Sequence, residues 1–396
     1  MRRHIPLITS LVLTISGLAM SPAHAVEDGP VNCGSSGTFT ITTNVVTSSD
    51  SCAGAVVIPA GVTSIGDSVF ANATSLTSIT IPAGVTSIGY RSFFNTHLTS
   101  VTFESGSKLT SIGEHAFLGS RFLTSLTIPA SVTIFGDSAF EDNDSLTSVT
   151  FESGSKLTSI GDSVFANATS LTSITIPAGV TSLGYAAFYY TPALTSVTFE
   201  SGSKLTSIGE DAFSGAESLT SITIPAGVTS IGGGAFRADN SLSSVYFRGD
   251  APTAVVDQYG GGSFAYIPTG AKAYIKSGAT GFDLDTDGDG NSGVWYGLIV
   301  TVGFYTVTYN TTGGSEVNAQ DYGVNFPTPT SPTRTGYTFT GWSATAGGSV
   351  INWPNTPALG SDITLYAKWT RNSAKAAAKV KPTVSGTAKV SKTLTA

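Results

Sequence analysis

Charge is scarce in this 396-residue chain: Asp, Glu, Lys and Arg make up only 11% of it, against about 25% in an ordinary soluble domain. Histidine is scarcer still, with four in all, and only His97 and His115 lie beyond residue 25. A serine hydrolase needs a nucleophile, a base and an oxyanion hole brought together. Gly-Asp-Ser occurs at Gly66–Ser68, Gly136–Ser138 and Gly161–Ser163, a superficial match to the nucleophile block of one hydrolase family. It recurs only because a longer unit recurs, and the chain reads as non-catalytic. Cysteine is limited to Cys33 and Cys52, with no His nearby to complete a metal site. The net charge of −7 argues against nucleic acid as a partner. After residue 20 no apolar run is long enough to span a membrane.

The first 25 residues read as a signal peptide. Arg2 and Arg3 precede an apolar run from Ile5 to Met20, and Ala23-His24-Ala25 forms a small-x-small cleavage site. Its removal takes the net charge from −7 to −9. In an exported chain two lone, close cysteines read as a disulfide. Closing a loop of that size contributes about 3 kcal/mol in the chain-entropy model. The bridge would hold a cap over residues 26–57.

Gly, Ser and Thr fill the places that charge leaves vacant, while 40% of residues are hydrophobic, enough for a sizeable core. One unit is repeated eight times. Its cleanest copy runs from Leu76 to Gly89 as LTSITIPAGVTSIG and reaches Phe93. The place of Ile88 recurs as Ile65, Ile112, Phe135, Ile160, Leu183, Ile208 and Ile231. That of Phe93 recurs as Phe70, Phe117, Phe140, Phe165, Phe188, Phe213 and Phe236. A period alternating mostly between 23 and 25 residues indicates a solenoid over residues 58–250.

Within a coil, alternation in Ser78-Ile79-Thr80-Ile81 points the isoleucines inward, Pro82-Ala83-Gly84 turns the chain, and Val85, Ile88 and Phe93 return to the core. About five apolar groups per coil, at ~1.5–3 kcal/mol each, hold a stack that one coil could not. A longer turn, Phe-Glu-Ser-Gly-Ser-Lys-Leu, alternates with the Pro-Ala-Gly form at Phe103, Phe151 and Phe199. Its Glu and Lys, as in Glu104 with Lys108, read as a solvated ion pair worth ~0–1 kcal/mol.

The pattern Leu-x-x-Ile-x-Ile-Pro-x-x-Val-x-x-Ile-Gly-x-x-x-Phe resembles the BspA-like, or Treponema pallidum type, leucine-rich repeat. The small or Cys residue often found after the Phe is here Ala73 or Ala168. The resemblance implies a mainly β, curved, right-handed solenoid of about eight to nine coils with N- and C-terminal caps. It also implies a secreted, extracellular or cell-wall associated protein that adheres to protein or cell-surface partners. A structural spacer presenting other domains is the rival reading.

The outward strand positions Thr80, Thr102, Thr127, Thr150, Thr175, Thr198 and Thr223 form a ladder with one rung per coil about 4.8 Å apart, beside a matching serine row. It reads either as a polar binding surface or as a solvated β-face. A flat Thr array could also bind ice or crystal surfaces, but curvature works against that. Tyr246 is the first aromatic on this face. Arg248-Gly249-Asp250 matches the tripeptide that some integrins recognise, although Phe-x-Gly-x-Ala-Pro resembles the usual exit of this repeat family.

Residues 251–303 read as the C-terminal cap. Within them Asp283, Asp285, Asp287 and Asp289 alternate around Gly288 and Gly290, which suits either a structural calcium loop or an acidic turn. An EF-hand would need Glu where Val294 or Tyr296 stands. From residue 304 to 370, short alternating strands lie between Gly/Pro turns, including Tyr305–Tyr309, Gly341-Trp342 and Ile363–Trp369. They resemble the Listeria–Bacteroides repeat, the B-repeat of internalin-type surface proteins, which implies a small β-grasp-like module. Trp342 and Trp369 read as its core. Residues 371–396 read as a linker and the start of a truncated immunoglobulin-like module.

Overall fold

Period-2 alternation of Ile, Val and Ser/Thr sets short strands, and the turn residues between them close each coil. The computed structural model describes residues 26–254, 262–276, 278–282, 294–296, 298–302, 305–317, 320–322, 330–351 and 363–372. The chain divides into two units, Met1–Phe304 and Tyr305–Ala396. The expected signal peptide at residues 1–25, the acidic loop with Asp283, Asp285, Asp287 and Asp289, and residues 373–396 lie outside the described residues.

The first unit begins with Gly29–Asn32, Ser36–Thr42 and Val45–Val57, paired antiparallel. Cys33 and Cys52 are joined by a disulfide. Val45–Val57 then serves as template for two parallel ladders. Its start pairs with Ser64–Ile65 and its end with Leu76–Ile81. Phe39, fully buried, meets Phe70 edge-on at 6.1 Å.

From Phe70 a column of rings runs through the solenoid. Phe70, Phe93, Phe117, Phe140, Phe165, Phe188, Phe213, Phe236 and Phe264 stack at 4.8–5.6 Å with planes within 16°. Offset stacking of this kind adds to the burial of each ring. Phe264, which the regular period does not reach, is the ninth member. Trp295 ends the column, 6.0 Å from Phe264.

Each coil makes three backbone ladders. One is the outward strand row from Leu76–Ile81 to Ser244–Phe247. A second joins two-residue strands such as Ser87–Ile88 and Ser111–Ile112. The third runs along the return segment, where Phe93 N–H donates to Ala116 O and Asn95 N–H to Leu118 O, both at 2.7 Å. Coils approach so closely at the second corner that a Cβ on Gly136 would sit 2.2 Å from Glu114 N. Only glycine fits there.

The strand row does not stop at Phe247. Lys272–Ile275 pairs parallel with it, and Leu298–Val302 with Lys272–Ile275. The segment expected to be only a cap therefore supplies two more rungs. Val294–Trp295 closes antiparallel against Leu298–Val302.

In the second unit Gln320–Tyr322, Tyr305–Asn310, Ile363–Arg371 and Tyr337–Ser343 lie in that order in one mixed sheet. Tyr305–Asn310 and Ile363–Arg371 are parallel. Trp342 is buried with Val307, Leu365 and Ala367. Trp369, partly buried, donates from Nε1 to Thr311 O and Thr312 Oγ1 at 2.9 Å.

Candidate binding face

Threonine occupies three rows of the repeat, and the structure assigns them different work. In the row Thr86, Thr110, Thr133, Thr158, Thr181, Thr206 and Thr229, each hydroxyl donates to the carbonyl of its counterpart one coil back. Thr99, Thr147, Thr172 and Thr195 do the same in a second row. The third row is the outward ladder. The hydroxyls of Thr80, Thr102, Thr127, Thr150, Thr175, Thr198 and Thr223 make no hydrogen bond to protein among the described residues, and all are exposed or half-exposed.

This ladder is not the uniform array that the repeat suggests. Thr80 is in register with Thr102, Thr127 with Thr150, Thr175 with Thr198, and Thr223 with Tyr246. At the intervening steps pairing falls away: Ser148–Phe151 keeps only Ser148 against Ser173. Ser100–Phe103 and Ser196–Phe199 end the sheets they belong to. Each weak step follows a long Glu-Ser-Gly-Ser-Lys turn, after which the next strand is largely unpaired although Ser148 stays opposite Ser173. The strand row is hydrogen-bonded in pairs.

The long turns also correct the expected ion pairs. Glu104, Glu152 and Glu200 accept from the backbone N–H of Ala83, Ala130 and Ala178 in the adjoining Pro-Ala-Gly or Pro-Ala-Ser turns, at 3.2, 3.0 and 2.9 Å. Glu104 and Lys108 form no ion pair among the described residues, where only His115–Glu114 and Arg121–Asp144 lie within 4 Å. A backbone amide presented by the neighbouring coil is a fixed partner, whereas a lysine head must be ordered to pair.

Gly-Asp-Ser is part of the same scheme. Asp67 Oδ1 accepts from Tyr90 N–H at 2.8 Å, Asp137 Oδ1 from Asp162 N–H at 3.1 Å and Asp162 Oδ1 from Tyr185 N–H at 2.7 Å. Ser68, Ser138 and Ser163 take left-handed backbone angles, φ 54–56°. The motif joins coils.

The free row ends on aromatics. Tyr246 is in register with Tyr274, and their rings stack at 4.8 Å with planes 14° apart. Tyr274 is in register with Thr301. Tyr274 is the residue that sequence reasoning missed, because Ser244 and Lys272 are 28 residues apart and break the period. The outward alternation in Lys272-Ala-Tyr-Ile275 was the available signal.

Arg248-Gly249-Asp250 follows directly. Arg248 N–H donates to Ile224 O at 3.1 Å, a Cβ on Gly249 would meet Ala226 O at 2.5 Å, and Asp250 Oδ1 accepts from Thr280 N–H at 2.7 Å. The tripeptide is held between the preceding coil and the segment around Thr280.

A parallel strand row backed by a phenylalanine column and repeated every 22 to 25 residues from Ser78 to Ser244 defines a leucine-rich-repeat solenoid. The BspA type Leucine rich repeat region matches six copies over residues 40–157 and 142–259, more than half of the sequence. The chain belongs to that family. Residues 305–368 match the Listeria-Bacteroides repeat domain. Internalin H of Listeria monocytogenes is 33% identical over 98 residues, 24% of this chain and 18% of that protein; the match thus spans about a fifth of that relative's length. Among solved structures, the pneumococcal vaccine antigen PcpA is similar at 19% identity, with 63% of this chain and 94% of that chain covered and a TM-score of 0.38. A leucine rich repeat protein of T. pallidum is similar at 22% identity, covering 50% and 90%, with a TM-score of 0.36.

Proposed function

We propose that this chain is a non-catalytic adhesion protein, secreted or held at a bacterial surface, that binds a protein or cell-surface partner through the outward strand row. One observation carries the reading. Of three threonine rows, two have their hydroxyls bonded to neighbouring coils, and the third presents hydroxyls with no protein partner among the described residues and ends on the stacked Tyr246 and Tyr274. Tyrosines placed at the end of a polar face supply the large, amphipathic contact area typical of binding hot spots. Family membership supports the reading, since the resemblance drawn from the repeat implies surface adhesion.

The test is attachment of the purified full chain to immobilised extracellular-matrix protein and to cultured cells. Tyr246→Ala with Tyr274→Ala is expected to weaken attachment at least tenfold, and Thr150→Glu with Thr175→Glu and Thr198→Glu several-fold, with unfolding midpoints unchanged. Full attachment by both folded variants would leave the solenoid as a spacer.

A further inference from the structure

The sixth copy of the repeat departs from the others on its exposed side. Its return segment reads Tyr185-Ala-Ala-Phe188-Tyr189-Tyr190. Phe188 takes its place in the ring column and, with Leu183 and Val180, fills the core. Tyr185, Tyr189 and Tyr190 remain 51%, 43% and 48% exposed. At the place of Tyr190 the other seven copies carry Asn72, Asn95, Gly119, Asp142, Asn167, Gly215 and Ala238, small residues throughout.

The surroundings give these rings a definite character. Tyr190 leans over the next coil, where a Cβ on Gly215 would lie 3.4 Å from its Cδ2. The rings of Tyr189 and Tyr190 are 6.4 Å apart. Tyr185 N–H donates to Asp162 Oδ1 on one side, and Ala186 N–H donates to Glu210 O at 2.8 Å on the other. Tyr185 is thereby set between two carboxylate-bearing positions. Asp211 and Glu217 follow Glu210 on the same return segment. The three successive segments Gly161–Leu171, Gly184–Leu194 and Gly209–Leu219 hold four carboxylates and no Lys, Arg or His. Aromatic faces attract cations through the ring quadrupole, most strongly for Lys and Arg heads, and carboxylates of one sign focus the same attraction. Exposed rings alone would suit many apolar partners; four carboxylates on these segments, with Arg237 of the next coil beside Asp211, favour a basic one.

We propose that Tyr185, Tyr189 and Tyr190, framed by Asp162, Glu210 and Glu217, bind a lysine- and arginine-bearing segment of a partner protein. This surface belongs to the return side of the coils and is distinct from the threonine row. The aliphatic stems of the basic side chains lie along the rings and their heads reach the carboxylates. Three coils span about 10 Å at the strand spacing, and same-side residues of an extended chain recur about every 7 Å, so two basic residues at alternate positions engage the surface together.

The probe is a fluorescent twelve-residue peptide alternating Lys and Gly, titrated into the full chain and followed by anisotropy. Saturable binding is expected, at least tenfold weaker in a Tyr185→Ser, Tyr189→Ser, Tyr190→Ser variant that keeps every carboxylate. A comparable loss is expected for Glu210→Gln with Glu217→Gln, and none for Tyr246→Ala. The Glu-Gly counterpart peptide is expected not to bind. On the unaltered protein, the Lys-Gly peptide should protect Tyr185, Tyr189 and Tyr190 from nitration by tetranitromethane, read by mass spectrometry, while Tyr266, 78% exposed, is nitrated as before. Equal binding by the folded serine variant would mean bulk charge alone and would overturn the proposal, as would unchanged nitration under saturating peptide.

Discussion

Asp239 Oδ1 accepts a hydrogen bond from the backbone N–H of Ala216 at 2.8 Å, at a position with no solvent exposure. Asp239 stands three residues after the column phenylalanine, where other copies place Thr96, Ser120, Asn143 and Thr191, all fully buried. Each of these donates to a phenylalanine carbonyl, as Thr96 does to Phe93 O at 3.1 Å and Asn143 to Phe140 O at 2.7 Å. An ionised Asp239 cannot donate, and its Oδ2 has no partner. Burial pushes its carboxyl well above the usual range, opposed by the N–H groups of Ala216 and Gly215 and reinforced by Glu217.

Asp239→Asn is therefore expected to stabilise the protein at pH 7 by about 1–3 kcal/mol, the scale of an unsatisfied buried polar group. The native state holds this proton more tightly than the unfolded chain. The wild type accordingly loses stability as pH rises from the ordinary carboxylate range through the native value, and the variant does not. Below that range the two converge. Thermal unfolding from pH 3 to 8 checks both the sign and the window; a variant no more stable at pH 7 would count against the assignment.

The ring column sets a second expectation. Phe165→Ala should cost about 3–5 kcal/mol, as for other fully buried phenylalanines. Coils touch only their neighbours, so faster amide exchange should centre on residues 140–190 and leave the disulfide-linked start protected. Uniform acceleration over the first unit would refute it.

Turn length gives a third. Replacing Glu152–Lys156 with Pro-Ala-Gly makes that 25-residue step a 23-residue one and should extend the pairing beyond Ser148 and Ser173 to Thr150 and Thr175. Amide protection across Ser173–Ile176 is expected to rise. No change would show that something other than the two extra residues separates the strands.

Glu200→Ala removes the bond to Ala178 N–H, and Lys204→Ala removes a side chain with no ion pair among the described residues. The first is expected to destabilise by ~0.5–1.5 kcal/mol and the second by less than about 0.5, measured by urea unfolding. Equal losses would restore the Glu–Lys pair.

Most of this architecture was legible because the repeat states each inward position eight times: Ile88 and Phe93 with their counterparts fall where the alternation puts them. The binding face was legible only in part. Periodicity identifies Thr80 and its counterparts as outward, but the interrupted pairing depends on where two extra residues go, which side-chain pattern does not encode. Tyr274 and Phe264 escaped for a related reason, since both follow a lengthened step after which counting by period fails. Glu104 was misread because an acid four residues from a lysine suggests a local pair, while its partner is a backbone group 21 residues away.

The alternation of strongly and weakly paired strands has a mechanical consequence. A stack joined by continuous ladders resists bending equally along its length. Here the compliance is concentrated at three joints, after Phe103, Phe151 and Phe199, where fewest strand hydrogen bonds must be broken. Under shear the first unit would flex between stiff two-coil segments, spreading load through the phenylalanine column without unzipping any one coil.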